Sequence, residues 1–233
     1  MAEFFRRVEK KYIITNEQYE YIKNRFKDMM IQDVHGKSKI CNIYFDTDNY
    51  ELISHSIQKP IYKDKIRLRS YNTPKKEDLV YLEVKRKYEG VVSKRRLQIK
   101  LKDVYKYFEK GYLQTGDMQI KSELDYYFKH FKLKPTMFLS YDREAFYSKE
   151  DENFRITFDS NIIARNYDLN LEEGNYGVSL LEKEKYIMEI KTLGAIPLYF
   201  VEILSDCNIY PCGFSKYGEA YTQLVLKKNN SII

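Results

Sequence analysis

Three cations alternate with apolar residues along the segment KDKIRLRSY, residues 63–71. Lys65, Arg67 and Arg69 are separated by Ile66 and Leu68. Because successive side chains of a β-strand point to opposite faces, this spacing puts the cations on one face and the apolar residues on the other. The forked N–H donors of arginine match the oxygens of phosphate groups, so such a face predicts an anion site.

The same alternation recurs along six further segments, whose polar faces carry cations and a few carboxylates. Segment by segment, these faces hold Arg7, Glu9 and Lys11; Glu83, Lys85 and Lys87; Lys94, Arg96, Gln98 and Lys100; Tyr141, Arg143 and Ala145; Arg155, Thr157 and Asp159; and Glu189 and Lys191. A single charged face is usually a solvated sheet surface, but like charges opposite each other destabilise a sheet. Seven such faces indicate that a polyanion normally offsets their repulsion.

Three glutamates interrupt the cationic faces: Glu9, Glu83 and Glu189. They would repel a bare polyphosphate, but they suit Mg²⁺ or Mn²⁺, hard cations that bridge protein carboxylates and substrate phosphates. Cations that hold phosphate, together with acids that hold metal, predict phosphoryl chemistry.

The composition is that of a globular protein and argues against several other classes. The 233 residues are 43% hydrophobic and 32% charged, and 40 Lys and Arg against 34 Asp and Glu give a net charge of only +6. Three cysteines and three histidines lack the spacing of a zinc site. The sequence shows neither a secretory signal nor a run of apolar residues long enough to span a membrane, so we expect a cytoplasmic protein.

Periodicity predicts one α+β domain over residues 1–233, with about eight antiparallel strands. The predicted strands cover 5–14, 38–47, 61–71, 79–90, 91–101, 136–148, 154–162 and 186–193. A helix at 15–30 has Thr15 or Asn16 as its N-cap, a helical insertion occupies about 102–134, and C-terminal helices occupy about 195–228. Because a sandwich would turn its polar faces to solvent, the charged faces favour a barrel whose apolar outer face lies under helices.

Eight short motifs follow one another along the chain: VEKKY, IYFDT, IRLRSY, LEVKRK, VSKRR, SYDREAF, MEIK and FSKY. In their residues and their order they resemble the VTC domain, the polyphosphate polymerase module of the triphosphate tunnel metalloenzyme superfamily, and the resemblance runs from about residue 4 to residue 226. It implies an eight-stranded antiparallel β-barrel tunnel, open at both ends, with flanking helices and a triphosphate bound along its axis.

The resemblance also implies roles for individual residues. Arg67 and Arg69 would grip substrate phosphates, Glu189 resembles a metal ligand, and Lys216 would begin a helix in a lid-like position over one tunnel mouth. Combined with the strand faces, this predicts as catalytic residues Arg67, Arg69, Lys85, Arg143 and Lys216. The predicted phosphate ligands are Lys11, Lys65, Lys87, Lys94, Arg96, Tyr141, Arg155 and Lys191, and the predicted metal ligands are Glu189, Glu9 and Glu83.

Two departures from the superfamily patterns affect the function expected. Hydrolases of the superfamily usually show E-x-E-x-K on the first strand, but here Arg7 replaces the first glutamate of that pattern, before Glu9 and Lys11. This favours the VTC branch over the triphosphatase branch. Gly213 stands where many VTC domains carry a second lysine, which weakens the expected phosphate cradle there.

The function expected is transfer of the ATP γ-phosphoryl group to orthophosphate, pyrophosphate or a growing polyphosphate chain, with Mn²⁺ or Mg²⁺ as cofactor. Two alternatives stay open, a triphosphate or tripolyphosphate hydrolase and a non-catalytic polyphosphate-binding module. Nucleic acid is not expected as a partner, because the cations follow strands rather than a basic helix. Any membrane partner would be encoded outside this chain.

Overall fold

The computed structural model describes residues 8–89, 91–111, 115 and 117–227. The strands are β1 (Val8–Thr15), β2 (Met30–Asp46), β3 (Tyr62–Tyr71), β4 (Leu79–Tyr88), β5 (Val91–Lys100), β6 (Lys134–Ser148), β7 (Arg155–Arg165), β8 (Val178–Ser179) and β9 (Lys185–Thr192). The α-helices are α1 (Asn16–Phe26), α2 (Glu51–Ile57), α3 (Leu101–Lys110), α4 (Met118–His130), α5 (Leu198–Asp206) and α6 (Lys216–Tyr221). A 3₁₀ turn covers Leu171–Glu173 and a π-helical turn covers Thr222–Leu226.

The described part of the chain forms two compact units. The first contains residues 8–39, 141–162 and 181–215, and the second contains 40–140, 163–180 and 216–227. Strands β2, β6 and β7 contribute residues to both units. The single domain over residues 1–233 stays a prediction.

In the first unit the strands follow the order β1, β9, β7, β6, with antiparallel pairing of β9 to both β1 and β7. One face of these strands packs against α1 and α5 through a core that includes Ile22, Phe26, Phe158, Met188 and Phe200. Helix α1 begins where the sequence predicts, because the Thr15 hydroxyl accepts a hydrogen bond from the backbone N–H of Gln18, whose side chain in turn accepts one from the N–H of Thr15.

In the second unit β2, β3, β4 and β5 follow one another as an antiparallel meander. Their apolar face packs under α3 and α4, in a core that includes Ile66, Leu82, Leu97, Val104 and Leu124. The prediction that helices cover the apolar side of the cationic strands is therefore confirmed in this unit. Burying this face fixes the strand register, since a slip of one residue would turn every cation inward to the apolar core.

Arg86 and Asp64 are polar residues on this otherwise apolar face, and they are paired directly across β3 and β4. The guanidinium of Arg86 lies 3.4 Å from Asp64 and donates to Glu123 and to the hydroxyl of Tyr127, while Tyr127 donates to Asp64 at 2.6 Å. Glu123 and Tyr127 belong to α4. The charged pair therefore attaches α4 to the strands, which explains why the alternation fails here.

The elements differ from the predicted boundaries in two main places. Strand β2 begins at Met30 rather than at residue 38, so α1 ends at Phe26. No helix or strand was predicted between residues 47 and 61, but α2 forms there because the buried carboxylate of Asp46 accepts hydrogen bonds from the backbone N–H groups of Thr47, Leu52 and Ile53. None of the described helices is long and apolar enough to cross a membrane.

Candidate functional site

The second unit holds a group of cations around one buried carboxylate, which we call the Glu83 cluster (Glu83, Arg67, Arg69 and Lys94). Glu83 lies between β3 and β5, with Arg67 directly opposite on one side and Arg96 on the other. Arg67 places Nε and Nη2 each 2.7 Å from Oε2, and Lys94 places Nζ 2.6 Å from Oε1. Arg69 Nε is 3.8 Å from Oε2. Both oxygens of Glu83 therefore lie against cations.

The charge of Glu83 is fixed by these neighbours. Its side chain is only 1% exposed. Burial alone would raise the pKa of Glu83, but the charges of Arg67, Arg69 and Lys94 outweigh it and lower the pKa to about 2. Glu83 is therefore ionised at any physiological pH, and it offsets part of the repulsion among the cations.

Further cations extend this polar face on both sides of Glu83. Lys65 is paired with Lys85, which is paired in turn with Lys94 on β5. The guanidinium of Arg96 lies over the ring of Tyr81, 4.8 Å from its centroid. One step further along the strands Lys63 faces Lys87, beside a surface depression of about 460 Å³ that both residues line. The β3–β4–β5 face thus carries a large excess of positive charge over its one buried carboxylate.

Two β2 residues that were not predicted as part of a site orient the arginines. The side chain of Asn42 accepts a hydrogen bond from Arg69 Nε at 3.1 Å and donates to the carbonyl of Leu139. The hydroxyl of Tyr44 accepts one from Arg67 Nη1 at 3.1 Å. Both residues are buried and alternate with apolar Ile43, so the period-2 pattern of the segment CNIYFD could have indicated them.

The first unit holds a second charged group, the Glu189 cluster (Glu9, Lys11, Glu189 and Lys191). On the paired strands β1 and β9, Glu9 faces Lys191 and Lys11 faces Glu189, so opposite charges alternate. Lys191 Nζ lies 2.5 Å from Glu189, and Lys11 Nζ lies 3.4 Å from Glu9. Burial would raise the pKa of Glu189, yet Lys191, Lys11 and Arg143 hold it well below its usual range.

Arg143 is fixed beside this cluster by a carboxylate that was not predicted as a site residue. Its Nε and Nη2 donate to the two oxygens of Asp159 at 2.6 and 2.7 Å, and Asp159 is fully buried. The guanidinium also lies over the ring of Tyr141, 5.1 Å from the centroid. A bidentate ion pair of this kind positions the guanidinium accurately.

Thr157 is the described residue that best indicates a ligand near Glu189. It lies directly opposite Glu189 across β7 and β9 and is only 9% exposed. Its hydroxyl has no hydrogen-bond partner among the described residues. A buried hydroxyl without a partner costs free energy unless a ligand or water satisfies it.

The oxygen atoms of Glu189, Glu9 and Thr157 suit a hard cation that is coordinated partly by the protein and partly by a phosphate. Glu189 is ionised and mostly buried, Glu9 lies on the neighbouring strand, and Thr157 offers a neutral oxygen. Among the described residues no three Asp, Glu, His or Cys side chains converge on one point. A Mg²⁺ or Mn²⁺ ion here would complete its shell with phosphate oxygens and water, as Mg²⁺ does at kinase sites.

The remaining predicted residues are placed as follows. Arg155 is exposed on β7, and its Nε donates to the carbonyl of Glu152 at 3.0 Å. Lys216 is the first residue of α6, and the next residue, Tyr217, is buried. Arg7, on which the distinction from the hydrolases was based, lies outside the described residues.

An antiparallel α+β fold with cation-lined strands under helices defines the class of the protein, and the fold class predicted from the sequence, antiparallel strands with flanking helices, is confirmed. A putative adenylate cyclase from Bacillus halodurans is 16% identical, with 89% of this chain and 92% of that chain covered and a TM-score of 0.55. A putative adenylate cyclase from Vibrio parahaemolyticus is 12% identical, with 94% of this chain and 98% of that chain covered and a TM-score of 0.52. A putative adenylyl cyclase from Hippeastrum, described as having a dominant triphosphatase activity, is 13% identical. The match covers 94% of this chain and 97% of that chain, with a TM-score of 0.52.

The family is more specific than the fold. The model of the VTC domain matches residues 6–225, and the chain therefore belongs to the VTC domain family. No curated protein matches the chain significantly. The resemblance found in the eight sequence motifs is confirmed.

Proposed function

We propose that this protein is a metal-dependent polyphosphate polymerase that transfers the γ-phosphoryl group of ATP to the end of a polyphosphate chain. The observation that carries the proposal is the Glu83 cluster, in which Arg67, Arg69 and Lys94 surround one ionised carboxylate. Lys65, Lys85 and Arg96 extend the same strand faces. This excess of positive charge suits a polyanion, and membership of the VTC family suits a polyphosphate.

The reaction requires no nucleophile from the protein. A terminal phosphate oxygen of the acceptor attacks the γ-phosphorus, a new P–O–P bond forms, and the bond from the γ-phosphorus to the β,γ-bridging oxygen breaks. ADP leaves with that oxygen and its electron pair. The protein aligns the reactants and stabilises the charge that spreads over the transferred group, which is the main contribution of proteins to phosphoryl transfer.

The cations have distinct parts in this scheme. Arg67 and Arg69 bind phosphate oxygens, while Glu83 and Asn42 orient the two guanidinium groups. In the first unit, Arg143 is held by Asp159 and so presents a fixed positive charge. Glu189, with Glu9, would hold Mg²⁺ or Mn²⁺. When bound, the metal would neutralise charge on the phosphates and on the leaving diphosphate.

A second candidate function is hydrolysis of a triphosphate, with water as the acceptor. The triphosphatase activity described for the Hippeastrum protein, which has the same fold, supports it. The same cations and the same metal would serve both reactions, and only the acceptor differs. The products therefore decide between them.

The test is a turnover assay on the purified protein with ATP and Mn²⁺ or Mg²⁺, in which ADP, free phosphate and polyphosphate are measured separately. ADP with a ladder of long polyphosphate on a gel supports the polymerase. ADP with an equal amount of free phosphate and no ladder would move the proposal to hydrolysis. Triphosphate binding without turnover, unchanged by a chelator, would leave a binding module.

Two arginine variants assign the activity to the Glu83 cluster. Arg67→Ala should lower the rate about 10²- to 10³-fold, as is typical when a preorganised charge contact is lost. Arg95→Gln serves as the control, because Arg95 lies one residue from Lys94 on β5 but is near Glu123, 3.5 Å away, on the opposite face. An Arg67→Ala protein with nearly wild-type turnover would contradict the proposed site.

A further inference from the structure

The guanidinium of Arg67 is held on two sides by different groups. On one side Nε and Nη2 lie against Glu83, and on the other Nη1 donates to the hydroxyl of Tyr44 at 3.1 Å. Glu83 is a fixed charge, because its pKa is lowered to about 2. Of these two partners of Arg67, Glu83 and Tyr44, it is therefore Tyr44 whose charge can change near neutral pH.

Tyr44 is itself held by a second tyrosine. Its ring stacks on that of Tyr217, with centroids 4.3 Å apart and planes 17° apart. Tyr217 donates to the buried carboxylate of Asp46 at 2.9 Å, and Asp46 is fixed by three backbone N–H groups at the start of α2. Because Tyr217 follows Lys216 in α6, the stacked pair connects this helix to Arg67.

The charged groups around Tyr44 are mostly positive. Lys65, Arg67 and Arg69 approach from β3, whereas Asp46 lies at the end of β2 and is bonded to Tyr217 of α6. Burial alone would raise the pKa of Tyr44, but the charges of Arg67, Lys65 and Arg69 outweigh it and lower the pKa to about 8. The ionisation of Tyr44 therefore falls in the mildly alkaline range, below the ordinary tyrosine value of 10.

We propose that Tyr44 is a positioning residue for Arg67, and that its hydroxyl makes the affinity of the Glu83 cluster for triphosphate decrease at mildly alkaline pH. The inference rests on the proposed function, since it concerns the binding of a phosphate chain to the same cations. A neutral hydroxyl accepts one N–H of Arg67 and leaves the positive charge to the ligand. A phenolate would compete with phosphate for that charge, and by linkage a bound polyanion would favour the neutral hydroxyl.

The experiment is a calorimetric titration of the full chain with inorganic tripolyphosphate, in the presence of a chelator, between pH 7 and pH 9.5. Tyr44→Phe keeps the ring stacked on Tyr217 but removes the contact with Arg67. Tyr107→Phe is the matched control, because Tyr107 is equally buried in the second unit but donates to Asp125, away from the cations. Ionisation of tripolyphosphate itself changes the affinity of all three proteins by the same factor.

The wild type and Tyr107→Phe should lose about tenfold more affinity than Tyr44→Phe between pH 7 and pH 9, because with a pKa of about 8 the protonated form that binds is dominant at pH 7 and about a tenth of the protein at pH 9. At pH 7, Tyr44→Phe should bind a few-fold more weakly than the wild type, because Arg67 has lost its hydrogen bond to Tyr44. The ultraviolet absorbance of phenolate should show one tyrosine that ionises near pH 8 in the wild type and not in Tyr44→Phe.

Each outcome decides the question. Parallel pH profiles for the wild type and Tyr44→Phe would overturn this inference and leave the proposed function intact. A difference spectrum in which Tyr44 ionises near pH 10 would do the same. Failure of the wild type to bind tripolyphosphate at every pH would overturn the proposed function and, with it, this inference.

Discussion

Arg67 places both Nε and Nη2 2.7 Å from one oxygen of Glu83, Oε2, while Lys94 lies 2.6 Å from the other oxygen, Oε1. One carboxylate is therefore shared by two cations that come from different strands, β3 and β5. Because Glu83 is fully buried, none of these three charges can be removed without leaving its partners uncompensated. This shared contact determines several measurable properties of the protein.

Glu83→Gln should destabilise the unliganded protein and strengthen its response to polyanions. Removal of the buried negative charge leaves Arg67 and Lys94 to repel each other, at a cost of about 3 kcal/mol. A bound tripolyphosphate restores the compensation. Thermal unfolding should therefore show a lower Tm than the wild type without ligand, and a larger rise in Tm on addition of tripolyphosphate. A variant with unchanged Tm would show that Glu83 does not organise the cations.

Acid should destabilise the wild type more than Glu83→Gln. The pKa of Glu83 is lowered from 4.5 to about 2 in the folded protein. Its contribution is therefore complete above the unfolded value of 4.5 and is lost as the pH falls from there toward 2. Urea unfolding at pH 6, 4.5 and 3 should show the stability difference between the two proteins becoming smaller at each step. A constant difference over this range would mean that Glu83 titrates normally.

Neighbouring arginines on β5 give a test of which sheet face binds phosphate. Arg96 lies over Tyr81 on the face of Glu83, whereas Arg95 lies near Glu123 of α4. Arg96→Gln should raise the KM for ATP several-fold, because a proposed phosphate ligand is lost. Arg95→Gln should leave KM within a factor of two. Equal effects of the two substitutions would mean that general electrostatic attraction, rather than this face, accounts for binding.

Glu189→Gln should separate metal-dependent turnover from phosphate binding. Loss of the ionised carboxylate removes the main metal ligand proposed here, and turnover should decrease at least about 10²-fold. Tripolyphosphate binding measured in a chelator should stay equal or become tighter, since Lys191 and Lys11 lose their competing anion.

Glu144→Gln provides the control for Glu189→Gln. Glu144 is a β6 carboxylate in the same unit, but it is bonded to Tyr19 and Lys23 of α1. The Glu144→Gln protein should retain wild-type turnover. Full metal-dependent activity in Glu189→Gln would exclude Glu189 as the essential metal ligand.

Strand periodicity was sufficient to predict the cationic faces. Lys65, Arg67 and Arg69 alternate with buried Ile66 and Leu68 as the sequence predicts, and the register of β3 to β4 follows from burial of that apolar side. Alternation is a local property of the backbone, so it is readable without knowing which strands pair. The order of the eight motifs is likewise sufficient to indicate the VTC family, which the match over residues 6–225 confirms.

The sequence could not predict which polar and charged side chains contact one another. Glu83 was predicted as a metal ligand because it is a carboxylate on a cationic strand face, and the structure places both its oxygens against Arg67 and Lys94; its role as a metal ligand stays a prediction. Tyr44, Asn42 and Asp159 were not assigned to a site, although each holds one of the predicted arginines. Their contribution depends on contacts across strands that are far apart in the sequence.

The sequence by itself determined the fold class, the family and the faces that carry charge, because these depend on spacing along one strand and on the order of motifs. Only the tertiary structure decided which charges meet, how deeply they are buried and which pKa values change. The reason is physical: a carboxylate such as Glu83 acquires its charge state from desolvation and from cations brought to within 4 Å by strand pairing, and neither quantity exists until the sheet has formed.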